Sequence, residues 1–127
     1  MTSVLRQGYV MVRNNHLLRP AIAVTPQGRG AIAFTLVGPD YYPSAAFLPI
    51  ETFSTGAAIQ VFAQGASPED GFTGYPGGFG PGVARWGDYS AAVAAGDGSV
   101  WMAAEYIPNT GRTEFANWGT FITRYIP

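Results

Sequence analysis

Residues 85–106 read RWGDYSAAVAAGDGSVWMAAEY, and the fold class turns on them. A polar cluster of Arg85, Trp86 and Asp88 opens the stretch. Two short apolar runs follow, at 89–95 and 99–106, parted by Gly96-Asp97-Gly98. Asp-Gly between apolar runs is a strong tight-hairpin signal, because both residues tolerate the positive φ that such a turn demands. The stretch therefore reads as two antiparallel strands joined by a two-residue turn. Helix fits poorly anywhere in the chain. Glycine or proline interrupts nearly every window, and apolar residues alternate or run in short blocks instead of recurring every 3.6 residues.

The same pattern runs upstream in a looser form. Strands are expected at 8–13 (GYVMVR), before an Asn14-Asn15 turn, and at 20–25 (PAIAVT), before the turn residues Pro26-Gln27-Gly28. Further strands are expected at 30–37 (GAIAFTLV), 44–50 and 57–63 (AAIQVFA). Residues 65–84 then carry seven glycines and three prolines. This is a long loop within one domain, since the β pattern resumes after it, and loops of that length are usually functional or mobile. A polar loop at 108–116 precedes a last strand at 118–126.

An internal repeat underlies these strands. PAIAVTPQGRGAIAF from Pro20 and YSAAVAAGDGSVWMA from Tyr89 share a strand, a glycine turn and a second strand, with Val24 aligned to Val93 and Ile32 to Trp101, a spacing of 69. Repeated units of about four strands suit propeller blades. The expected fold is all-β: antiparallel four-stranded blades of a β-propeller, about two of them, forming an incomplete ring. Residues 1–127 form a single partial unit, with 1–19 as a spare outer strand and connector, 20–64 as the first blade, 65–84 as the loop and 85–127 as the second blade. Propellers need about four to eight blades to close, so further blades or identical chains are the expected partners. A β-sandwich is the alternative that needs no partner.

Composition narrows the function classes. Apolar residues make up 47% and charged residues 12%, about half the globular average of roughly 25%. There is no lysine, the seven cations are arginines, and the net charge is −1. A nucleic-acid or anionic-membrane binder would show a basic patch, and none is present. Without cysteine there is neither a disulfide nor a thiolate metal site. No apolar run is long enough to span a membrane, and no signal peptide is visible in MTSVLRQGYVMV.

From Arg85 onward, RWGDYS, DGSVW, EYI and NWGT resemble the last blade of bacterial β-propeller proteins of the sialidase-like or BNR-like kind. The resemblance is strongest over 85–125 and thinner over 20–63. It implies a propeller surface that binds a ligand or glycan, non-catalytic by itself, or else a fragment of an extracellular sialidase-like glycoside hydrolase. It also implies an extracellular or periplasmic location if the chain is part of a longer secreted protein. A purely structural interaction module is a third reading. The Asp box of sialidase-like proteins reads Ser-x-Asp-x-Gly-x-Thr-Trp. Asp97-Gly98-Ser99-Val100-Trp101 has one residue fewer between Asp and Trp and lacks the leading Ser, so Asp97 reads as a hairpin turn.

On such a blade Arg85, Trp86, Asp88, Tyr89, Glu105, Tyr106, Asn117 and Trp118 gather on one rim as candidate ligand-binding residues. Asp88 and Glu105 are the candidate catalytic carboxylates. His16, Arg19, Asp40, Tyr41 and Tyr42 join them from the first copy. Rings stacking on Trp or Tyr, and hydroxyls bonding Asp, Asn or Arg, would suit a carbohydrate. The plainer readings are an ion pair of Arg85 with Asp88 or Glu105, and packing roles for Trp86, Trp101 and Trp118, with Trp101 assigned to the core. His16 has no second His or Cys beside it, so no metal site is read, and no cofactor motif occurs.

Overall fold

The computed structural model describes residues 3–4, 7–51, 57–69, 86–108 and 117–127. Among these the regular structure is all strand: β1 (His16–Val24), β2 (Gly30–Gly38), β3 (Tyr41–Ile50), β4 (Gln60–Ala63), β5 (Ala91–Ala94), β6 (Val100–Tyr106) and β7 (Gly119–Tyr125). They form two antiparallel sheets, one of four strands in the order β1-β2-β3-β4 and one of three in the order β5-β6-β7. No helix among the described residues is long and apolar enough to cross a membrane.

Each sheet opens with the same hairpin. Thr25 N–H bonds Arg29 C=O and Gly28 N–H bonds Thr25 C=O; Ala95, Ser99 and Gly98 repeat both bonds. Gly28 and Gly98 take positive φ values of 77° and 84°. These are three-residue loops, a turn followed by a left-handed glycine, and not the two-residue turn expected from Asp97-Gly98. Asp97 serves the turn as expected, accepting bonds from Ser99 N–H (3.0 Å) and Ser99 Oγ (2.6 Å). The hairpins superpose at a spacing of 70 (25 to 95, 28 to 98), one more than the apolar matches suggested.

Side chains alternate along a strand, so each sheet turns one face toward the other and one away from it. On the inner face of the first sheet, Ala23, Ala31, Ala33 and Phe47 pack against Val100 and Met102 of the second. Ala45 and Ala63 continue this contact against Ala104. Trp101 lies between Val100 and Met102 and points the other way, 47% exposed. Its assignment to the core from its mid-strand position is therefore corrected: Trp101 stands on the face of β5-β6-β7 turned away from the first sheet. β1 stacks on β5 and β2 on β6, with both hairpin turns at the same end. Alanines fill the β1–β2 side of the contact. On the β3–β4 side rings take over, Phe47 lying 5.1 Å from Tyr125 and Phe62 5.7 Å from Phe121.

Residues 8–13 are not a strand. They cross the outer face of the first sheet, where Val10 and Val12 cover Phe34, Leu36 and Ala46. β1 starts four residues earlier than expected, at His16, and passes through a bulge. Leu18 pairs with Thr35 and Ala21 with Ala33, so Arg19 and Pro20 together oppose Phe34. Proline cannot donate to the ladder, and Arg19 absorbs the irregularity in the left-handed region at φ 53°. β3 runs through Pro43 and Pro49, which lie beyond the stretch paired with β4. That stretch is short because proline there would break the pairing.

A left-handed conformation costs a non-glycine residue about 1–2 kcal/mol. Arg19→Gly and Arg19→Ala both remove the side chain, so their difference reads the backbone alone. Urea denaturation is expected to find the glycine variant more stable by about 1 kcal/mol. An alanine variant equal to it would show that Arg19 is not held left-handed.

Candidate functional site

The end of the stack opposite the two hairpin turns gathers polar groups from both sheets. Buried Thr35 donates its Oγ1 proton to the carbonyl of Glu105 at 2.9 Å, tying β2 to β6. The bulge in β1 aims Arg19 outward from its own sheet, and its Nε donates to the carbonyl of Gly87 at 2.9 Å. The Gly87 N–H in turn donates to the Glu105 carboxylate. A Cβ at position 87 would collide with that carboxylate, so only glycine lets the backbone pass this closely.

The electrostatics of Glu105 follow from this seating. Burial pushes its carboxyl above the usual glutamate value of 4.5, and the Asp88 charge adds to the rise. The Gly87 N–H and the Arg19 guanidinium oppose it. A half-buried carboxyl beside an exposed one is suited to holding a proton or to accepting from a hydroxyl.

The remaining candidates divide. Tyr89 is exposed and Trp118 is 46% exposed, so both present ring surface to solvent. Tyr106 packs edge-on against Phe121 and is a packing residue. Asn117, only 7% exposed, sits in a second polar group at this end, donating to the Pro68 carbonyl at 3.0 Å. Its Oδ1 and the Trp86 Nε1 are buried without a hydrogen-bond partner among the described residues. Arg85 lies outside the described residues, as does the expected pairing with Asp88 or Glu105. Among the described residues, the cation acting on Glu105 is Arg19.

From the first copy, Asp40 is taken up structurally, accepting from Asn15 Nδ2 at 2.9 Å. Tyr41 packs under the outer-face cluster, while His16 and Tyr42 remain exposed. Gly87, Thr35 and Ile107 went unnoticed in the sequence. Ile107, fully buried, joins the sheets by donating its N–H to Pro43 and accepting from Ala66 N–H. No local motif marks such residues, because their partners lie far away in the chain. Of the two loops read at 65–84 and 108–116, residues 70–84 and 109–116 lie outside the described residues.

The raised carboxyl has a signed consequence. A group whose folded value exceeds its unfolded one stabilises the fold fully below the unfolded value, and that contribution is lost as pH rises through the folded value. Urea denaturation from pH 3.5 to 7.5, as about 0.5-unit steps, should show wild type losing stability relative to Glu105→Gln as pH rises above 4.5. A difference that is flat with pH would mean that Glu105 is not desolvated. No protein-family model, curated protein sequence or solved structure matches this chain.

Proposed function

We propose that the chain is a two-blade segment of a β-propeller and that the end carrying Arg19, Asp88 and Glu105 is a ligand-binding rim for a carbohydrate, non-catalytic by itself. The blade reading is supported by the two sheets stacking strand over equivalent strand, with alanine on one side of the contact and aromatic rings on the other. Such filling makes a wedge, and wedges stacked about an axis close into a ring. The observation that carries the rim reading is the Glu105 carboxylate seated on Gly87 beside Asp88 and Arg19. Carboxylates and a guanidinium bond sugar hydroxyls, and the exposed rings of Tyr89 and Trp118 offer stacking surface. The same reading expects an extracellular or periplasmic location if the chain is part of a longer secreted protein.

One observation favours a second reading, a fragment of a sialidase-like glycoside hydrolase. A carboxyl held above its usual value by burial, with a second, exposed carboxyl beside it, is the kind of pair that glycoside hydrolysis uses for its acid and its partner.

Calorimetric titration with a panel of neutral and sialylated oligosaccharides separates the readings when paired with turnover of the matching aryl glycosides. The expected result is binding of at least one sugar, weakened about tenfold or more in Glu105→Gln and Trp118→Ala, with no turnover; tenfold corresponds to one lost interaction of about 1.4 kcal/mol. Turnover abolished in Glu105→Gln would select the hydrolase. Silence across the panel would sink the rim reading.

A further inference from the structure

We infer that the open face of the β5-β6-β7 sheet docks, head to tail, on the outer face of the β1–β4 sheet in a second copy of this chain. The inference rests on the blade reading of the stack and not on the carbohydrate reading of its rim.

The hairpins set the correspondence between the sheets. With position 25 equivalent to 95 and 28 to 98, Ala31 and Ala33 correspond to Trp101 and Ala103. Ile32 and Phe34 correspond to Met102 and Ala104. Within the chain, the face bearing Ala31 and Ala33 receives the face bearing Met102 and Ala104. Two faces are left over by this operation, and they are the two that would meet if it were applied once more.

Both leftover faces are apolar, and among the described residues the β5-β6-β7 face and the hairpin-turn half of the β1–β4 face are open. On β5-β6-β7, cross-strand pairing puts Val93 beside Trp101 and Ala103 beside Ile122, with exposures of 61% for Val93 and 66% for Ile122. Its charges stand at the ends, Arg124 opposite Trp101 and Glu105 opposite Thr120. On the first sheet, Ile22 and Val24 are 60% and 45% exposed, with Val61 beyond them. Residues 8–12 cover only the other half of that face, over Phe34 and Leu36, and turn Met11 outward beside it. Scattered exposed hydrophobics are ordinary, but contiguous ones on a sheet face mark a contact surface. The contact already made inside the chain joins unlike faces, so its continuation is heterologous. Such contacts close into rings when the rotation permits, and the wedge between the sheets supplies a rotation.

Light scattering after size exclusion, on the full chain, tests the inference. Wild type is expected to run as a discrete oligomer, a multiple of 13.5 kDa. Trp101→Glu spoils one face and Ile22→Glu the other, so each variant alone should be monomeric. Mixed, they should form a dimer, because each retains the face that the other needs. Both side chains are exposed, so circular dichroism should stay at wild type; should either variant unfold, Val93→Glu or Val24→Glu replaces it. A monomeric wild type would overturn the inference, and would leave the blade reading standing only with further blades in place of a second copy. One variant staying oligomeric, or a mixture that does not combine, would overturn the head-to-tail contact alone.

Discussion

The contact of Ala31, Ala33 and Ala45 with Val100, Met102 and Ala104 holds the rest of the molecule in place. A three-stranded sheet with short β5 cannot bury enough surface to stand alone, and the alanines of the first sheet gain little from burial unless a neighbour comes close. Small side chains permit that approach. Once the sheets meet, Phe47, Phe62, Phe121 and Tyr125 fill the wider side, where alanine would leave voids.

The polar end is a consequence of the same packing. Thr35 reaches the Glu105 carbonyl, and Ile107 reaches Pro43 and Ala66, only because the sheets are stacked in this register. Arg19 reaches Gly87 because the bulge at Pro20 turns it away from its own ladder. The left-handed backbone of Arg19 is thus strain at a polar cluster, where the surrounding contacts hold a conformation that the residue alone would not choose. At the hairpin-turn end, ion pairs of Arg29 with Glu51 (3.1 Å) and Arg124 with Asp97 (2.7 Å) bind neighbouring strands. Both are exposed and contribute little to stability, so the asymmetry of the two ends lies in desolvation more than in charge count.

Alternation, turn residues and breakers were enough to read an all-β chain, and most strands fall within a few residues of their expected positions. They mark local preferences that tertiary contacts here do not override: Gly28 and Gly98 for left-handed turns, Ala and Val for pleated runs. Residues 8–13 show the limit. GYVMVR has strand composition, yet it finds no strand to pair with and instead lays Val10 and Val12 on the first sheet. Composition states a tendency to be extended, whereas pairing requires a partner.

The sequence by itself determined the class and where the hairpins turn, because turns and periodicity are properties of neighbouring residues. The blade reading set Asp88 and Glu105 on one rim, and in the structure the Asp88 charge acts on the Glu105 carboxyl. Only the tertiary structure decided which face of each strand is inside. A mid-strand position does not say whether a second sheet covers that face: the hairpin register equates Trp101 with Ala31, yet Ala31 is buried under the other sheet and Trp101 is left 47% exposed. It likewise decided that Gly87 and Arg19 seat Glu105, because a backbone approach between positions 87 and 105 leaves no mark on the residues beside either one.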